Sequence, residues 1–240
     1  GYVTASWWMI VVCTLLIATL TGVINGILVV KANVPSFVAT IGIQYTITGI
    51  GYIITKGTPL FMTKVEGAGV IGGTKIAGII PLCMILFLAI ALLLIFLCER
   101  TSFGMRVYAT GGNIKGATLC GINTGKWKIY MYILSGLLSG IAGIIFTSKL
   151  QSIDVTQTTG YEMTALAIAI MAGIELSGGV GSLRNTVKAG LFMAILSSAM
   201  SMIGFLSYHE TFVMGLFIVV FAIMNKKRES RRLKELDIIE

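Results

Sequence analysis

The stretch IAGIIPLCMILFLAIALLLIFLC, residues 76–98, contains no aspartate, glutamate, lysine or arginine. A helix of that length rises about 35 Å, enough to cross a hydrocarbon core of roughly 30 Å. In hydrocarbon the backbone has no water to bond to, so such a run is stable only with its hydrogen bonds closed within a helix. Working outward from it, residues 6–30, 35–54, 127–147, 161–177, 186–206 and 210–225 read the same way. Of the 240 residues, 56% are hydrophobic and 12% charged, and the mean hydropathy is +0.92, which leaves too little polar surface for a water-soluble domain. The expected fold is therefore all-α: a polytopic transmembrane helical bundle of about seven spans over residues 1–225, without a separate soluble domain, followed by a basic tail, 226–240.

A net charge of +8 by itself suits a nucleic acid, but in a membrane protein the position of the cations along the chain matters more. They cluster in residues 99–128, with Arg100, Arg106, Lys115, Lys126 and Lys128, and in the tail, with Lys226, Lys227, Arg228, Arg231, Arg232 and Lys234. Both clusters are expected on the cytoplasmic side. The seven spans then put 14 cations inside, with Lys31, Arg184 and Lys188 among them, and four outside: Lys56, Lys64, Lys75 and Lys149. This topology places Gly1 outside and suggests a chain that begins partway through a longer one. No nucleic-acid partner is expected; the partner along the spans is the lipid bilayer.

Enzymatic chemistry finds little to build on. Cys13, Cys83, Cys98 and Cys120 lie in or beside apolar runs at no metal-ligand spacing and read as packing residues. His209 is the only histidine, so metal sites and catalytic triads that need one have almost no material. GINTGKW, residues 121–127, has a Gly-Lys pair but neither the following Ser or Thr nor the glycine spacing of a phosphate loop. Gly136, Gly140 and Gly143 in LSGLLSGIAG read as a small-residue packing stripe rather than a nucleophile site. No catalytic residue, metal or cofactor is expected.

Four features remain. GGNIKGATLCGIN, residues 111–123, reads as a short helix with Asn113 as its cap and Gly121 as its stop, and with Ile114, Ala117 and Thr118 or Gly121 on one side. MAGIELSGGVGSLRNT, residues 171–186, carries glycines at 173, 178, 179 and 181, and reads either as a break in a helix along a polar route or as a plain turn. Glu175 within it sits near the inner boundary, where it reaches water or contacts Arg184 or Lys188. At the other end of the same span Thr159 is a possible cap, with Glu162 completing a capping box. Pro35 suits the first turn of the helix over residues 35–54, whose Thr40, Gln44, Thr46 and Thr48 form a polar stripe, either lining a path or bonding to neighbouring helices.

Five ordered blocks, NVPSFVATIG (33–42), TKGTPL (55–60), FGMRVYATGGNIKGATLCGIN (103–123), YMYILSGLLSGIAGII (130–145) and TTGYEMTALAIAIMAGIELSGGVGS (158–182), resemble the permease subunits of ribose-type ABC importers. These belong to one superfamily with the branched-chain amino-acid importers. The resemblance implies a multi-pass permease of about ten helices, truncated here at its N-terminus, in the bacterial inner membrane with a cytoplasmic C-terminus. It would pair with a second permease copy as a homo- or heterodimer, receive a small solute such as ribose or a related sugar from an extracytoplasmic substrate-binding protein, and be driven by separate ATP-binding cassette subunits.

By the same resemblance Gly112, Asn113, Ile114, Ala117, Thr118, Gly121 and Ile122 belong to the coupling helix that docks on the ATPase. Phe37, Thr40, Gln44, Tyr161, Glu162, Thr164 and Glu175 are the candidates for the translocation path. The sequence departs from the family pattern at Gly116 and Ala117, where an alanine pair is common, at Thr164, where relatives often carry an acidic residue, and at Ala172 and Asn185. A self-sufficient secondary transporter or channel is the alternative; it would need buried acidic pairs or rings, and no acidic pair lies mid-span.

Overall fold

The computed structural model describes residues 6–63, 65–76, 78, 80–175, 178–205, 209 and 211–224. The basic tail, 226–240, and Lys64 lie outside the described residues. Ten helices are described: α1 (Trp7–Val30), α2 (Ser36–Thr55), α3 (Val70–Gly73), α4 (Leu82–Arg100), α5 (Ser102–Gly112), α6 (Ile114–Leu119), α7 (Thr124–Leu150), α8 (Tyr161–Met171), α9 (Leu183–Ile203) and α10 (Thr211–Met224). Five of them, α1, α2, α4, α7 and α9, are long and apolar enough to cross a membrane, and α8 and α10 are shorter apolar helices. Their outward surfaces carry large apolar side chains such as Leu16, Leu20, Ile53, Ile54 and Leu92, which suits hydrocarbon rather than water. The protein is a polytopic membrane helical protein.

Contacts divide the chain into two compact units. The first holds the described residues up to Ile90 together with Ala117–Thr159. Its axis is the packing of α1 on α7, where small residues four apart face one another: Ala18, Gly22 and Gly26 on α1, Gly136 and Gly140 on α7. A Cβ at Gly22 would lie 2.4 Å from the Tyr132 carbonyl oxygen, and one at Gly136 would lie 2.4 Å from that of Ala18. Backbones this close leave room for hydrogen alone, the geometry by which membrane helices gain van der Waals contact. Gly143, expected in the same stripe, has open space around its Cβ position and takes no part.

At the Leu150 end of α7 the chain between α2 and α4 folds back as a small cap. Its strand β1 (Leu60–Phe61) pairs antiparallel with β4 (Ser152–Ile153), and α3 rests on α7. The buried Ser148 hydroxyl donates to the Ala68 carbonyl and accepts the Gly72 N–H at 2.9 Å, so the turn before α3 and α3 itself are tied to one side chain. Trp7, Met62, Val65, Ala68 and Ile144 close a small apolar core beside it.

β2 (Lys75–Ile76) and β3 (Ile80–Pro81) form a hairpin with Gly78 at φ +74°. The span expected from residue 76 therefore starts at Leu82. An apolar run does not distinguish a two-residue strand from the first turn of a helix; Gly78 and Pro81 are the local signals that do.

The second unit holds Ala91–Gly116 and the described residues from Gly160 onward. In it α8 packs on α9, and α9 touches α10 through an edge-to-face pair, Phe192 and Phe217, with ring centroids 6.2 Å apart. The expected span over 161–177 is in fact the 11-residue α8, about 16 Å long and too short to cross a bilayer. It ends where the Ala172 N–H reaches the Ile168 carbonyl, Gly173 adopts φ +76°, and the Ile174 N–H closes on Ala169 at 3.1 Å.

Candidate functional site

The candidate site is built on α5 and α6. Thr101 caps α5, its hydroxyl oxygen accepting the Phe103 N–H at 3.2 Å. α5 ends at Gly112, and the single residue Asn113 separates it from α6. Asn113 adopts an extended backbone (φ −149°, ψ 99°), donates its own N–H to the Ala109 carbonyl, and accepts the Gly116 N–H on its side-chain oxygen at 2.9 Å. It thus closes one helix and opens the next, as the cap expected from the sequence requires. Replacing Asn113 with alanine is expected to cost about 1 kcal/mol locally, read as roughly fivefold faster hydrogen exchange of the Gly116 amide.

At the other end Gly121 takes φ +78°, its N–H bonding to Thr118 and that of Ile122 to Ala117, both at 3.0 Å. A left-handed residue there ends the helix at a position where a side chain would be strained.

The six residues of α6 are not equivalent. Ile114 is 48% exposed and Leu119 90% exposed, whereas Ala117 is 5% exposed. Ala117, expected to share the outward face with Ile114, is turned into the chain instead; Ile114, Lys115, Thr118 and Leu119 make up the exposed face. The local sequence carries the 3.6 period, but which of its faces points outward depends on packing that the local sequence does not contain.

The second half of α5 is held by the loop that joins α8 to α9. Glu99 at the end of α4 forms an ion pair with Arg184 in the first turn of α9. The Tyr108 hydroxyl donates to the Gly181 carbonyl at 3.2 Å. Burial raises the Tyr108 phenol above its ordinary pKa, and Cys98 and Glu99 add to the effect, so the group stays a protonated donor at neutral pH. Gly111 and Gly112 lie backbone to backbone against Gly178 and Gly179. Within the loop the Glu175 N–H bonds to Val180 at 3.1 Å and its carbonyl accepts the Gly178 N–H at 3.0 Å. Arg184, a suggested partner of Glu175, is paired with Glu99.

The path candidates fall in both units: Phe37, Thr40 and Gln44 in the first, Tyr161, Glu162, Thr164 and Glu175 in the second. Phe37, Thr40 and Gln44 share one face of α2, with Phe37 and Gln44 exposed. The Thr40 and Thr46 hydroxyls bond back to their own helix, to the Ser36 and Gly42 carbonyls at 2.9 and 2.8 Å. Tyr161, Glu162 and Thr164 sit in the first turn of α8, and Glu175 lies beyond its far end. Gly160, not Thr159, occupies the cap position, at φ +95°, and Glu162 accepts the Gly160 N–H at 3.0 Å. The expected capping box is thus reduced to its acidic half. Thr164 bonds to the Met214 sulfur at 3.2 Å.

His209 packs its ring on Phe205, with centroids 5.2 Å apart. Among the described residues no group of three His, Cys, Asp or Glu side chains converges on a metal-sized site.

Among the described residues the site thus consists of a short capped helix, α6, between α5 and α7, and a half-length apolar helix, α8, that ends at a glycine loop. The chain belongs to the family described as branched-chain amino acid transport system / permease component, whose pattern matches residues 2–221. It is 33% identical over 193 residues to the probable ABC transporter permease protein YphD of Escherichia coli K12, covering 80% of this chain and 58% of that protein. It is 32% identical over 211 residues to the ribose import permease protein RbsC of Bacillus subtilis 168, covering 86% and 64%. With the autoinducer 2 import system permease protein LsrC of Escherichia coli HS it shares 30% identity over 219 residues, covering 89% and 62%. The chain thus spans about three fifths of the length of these relatives. No solved structure matches it.

Proposed function

We propose that the chain is the membrane-spanning permease of a binding-protein-dependent ABC importer in the bacterial cytoplasmic membrane, moving a small solute, ribose or a related monosaccharide, by alternating access. The observation that carries the reading is α6. A surface helix capped by Asn113, stopped by Gly121 and presenting Ile114 and Leu119 outward has the form of an element made to enter a groove on a partner. Lipid is the other possible occupant of such a face, and a helix of six residues with Lys115 on its exposed side buries little apolar area in a headgroup layer.

In this reading the groove belongs to an ATP-binding cassette subunit, and Gly112, Asn113, Ile114, Thr118, Gly121 and Ile122 shape or present the docking helix while Ala117 anchors it. The end of α6, the Arg184 end of α9 and the basic tail face the cytoplasm, by the distribution of lysine and arginine. The cap formed by β1, α3 and β4 then faces outward, toward a substrate-binding protein. A second permease copy completes the conduit. Phe37 and Gln44 in the first unit and Tyr161 and Thr164 in the second are solute-facing in this reading, Thr40 and Glu162 shape their own helices through bonds to backbone, and Glu175 is the inner-end candidate of the second unit. The conduit binds solute weakly, and ATP binding and hydrolysis supply the drive. The ribose and autoinducer 2 importers among the relatives support a small polyhydroxylated solute without choosing between sugars.

The test is uptake of labelled D-ribose by cells expressing the native gene, with ATP depleted by arsenate while the proton gradient is kept. Uptake lost with ATP supports the importer. Uptake that follows the proton gradient instead contradicts it, and ATP-dependent uptake of a different sugar corrects the solute alone.

A further inference from the structure

The ties between α5 and the glycine loop raise a question that docking alone does not answer: how movement at α6 reaches a solute path. In the second unit three kinds of contact join the same two segments. The Glu99–Arg184 ion pair holds the end of α4 to the start of α9. Tyr108 in the middle of α5 holds the Gly181 carbonyl at 3.2 Å. At the end of α5 the contact is backbone on backbone. A Cβ built at Gly111 would lie 2.7 Å from the Gly179 nitrogen, one at Gly178 would lie 3.1 Å from the Gly111 carbonyl oxygen, and one at Gly179 would lie 2.3 Å from the Gly112 Cα.

Four glycines meeting in this way leave no side chain between the segments to bend or change rotamer, so the joint transmits displacement instead of absorbing it. Gly178 and Gly179 also adopt φ of +96° and +78°, conformations that strain any residue with a Cβ.

We propose that Gly111, Gly112, Gly178 and Gly179, with Tyr108 and the Glu99–Arg184 pair, form a rigid clasp that carries the movement of α6 into the break between α8 and α9. The inference rests on the importer reading and adds to it a route of transmission. Asn113 bonds the first turn of α6 to the end of α5, so a displaced α6 pulls on α5. The clasp passes that pull to the loop, whose two ends are the last residues of α8 and the first of α9. The half-helix α8 carries Tyr161, Glu162 and Thr164 at its other end, so a tilt of α8 changes what those residues face. Tyr108 and the four glycines touch no solute in this scheme. They position the half-helix, and their loss separates hydrolysis from transport without detaching the ATPase.

The measurement is the ratio of solute moved to ATP hydrolysed by the purified transporter in liposomes, with recovery of the ATPase chain as a second readout. Gly179→Ala and Gly111→Ala are expected to retain the ATPase chain and its hydrolysis while solute moved per ATP falls about tenfold, a size within the usual range of coupling between sites. Gly190→Ala, whose Cβ would meet its nearest neighbour at an ordinary 3.9 Å, is expected to match the unaltered protein.

Should the glycine variants fail to assemble, the double variant Tyr108→Phe with Glu99→Gln decides, because it removes two ties and adds no atom to the joint. It is expected to lower the ratio about fivefold, at the lower end of that coupling range. An unaltered ratio in Gly179→Ala, or in the double variant where the glycine variants do not assemble, overturns the clasp while the importer stands. Transport by the unaltered protein that needs no ATP overturns the importer reading and the clasp with it.

Discussion

Replacing Leu119 with glutamate is expected to strip the ATPase from the transporter and abolish uptake while the chain still folds and inserts. Leu119 is almost fully exposed at the end of a six-residue helix, a position that no packing among the described residues requires to be apolar. Its burial in a partner groove would contribute about 1.5–3 kcal/mol. A carboxylate there would lose that contribution and leave a charge without a partner, so binding should weaken on the order of a hundredfold or more. Ala117→Glu is a poorer test, because Ala117 is buried and a carboxylate there would break the packing of the chain itself. Pull-down of the ATPase chain with the variant, alongside circular dichroism of the purified protein, checks the expectation. Full recovery of the ATPase with Leu119→Glu would remove α6 from the interface.

The second large effect is expected in the first unit. Gly136→Leu places a side chain where even a Cβ would sit 2.4 Å from the Ala18 carbonyl oxygen and 3.1 Å from the Gly22 Cα. These are backbone atoms and have no rotamer with which to yield. The helices must separate along their length, losing contacts at Gly26 and Gly140 as well, and overpacking of this kind costs about 1–3 kcal/mol or more. Gly143→Leu, about two turns further along α7 on open ground, is expected to stay within about 0.5 kcal/mol of the unaltered protein. Thermal unfolding of the two variants in detergent compares them directly, and equal midpoints would mean that α1 and α7 do not rely on close approach.

How much of this was legible in the sequence follows from the range of each interaction. The spans were legible because hydrocarbon imposes one rule along a continuous run; the observed helices begin and end within a few residues of the expected ones, except where short-range turn chemistry intervenes. At residues 75–81 Gly78 and Pro81 turn the chain into a hairpin, and Gly173 with its positive φ stops α8 at Met171, six residues before the expected end.

The Asn113 cap and the Gly121 stop were legible because both are rules about neighbouring residues. The grip of Gly111 on Gly179 was not: each glycine stands out in the sequence, but nothing local says that the two meet. The small-residue face Ala18, Gly22 and Gly26 went unread for a related reason, although its spacing of four residues carried the signal. Glu162 illustrates a mixed case, with its capping role legible and its partner displaced from Thr159 to Gly160.

The most direct test of the central claim is to express the full-length native gene with an affinity tag, purify its product gently from membranes, and identify the chains that come with it by mass spectrometry. The account predicts an ATP-binding cassette subunit in the purified complex and its absence when Leu119 is replaced with glutamate. Recovery of the tagged protein alone, active in liposomes without ATP, would contradict it.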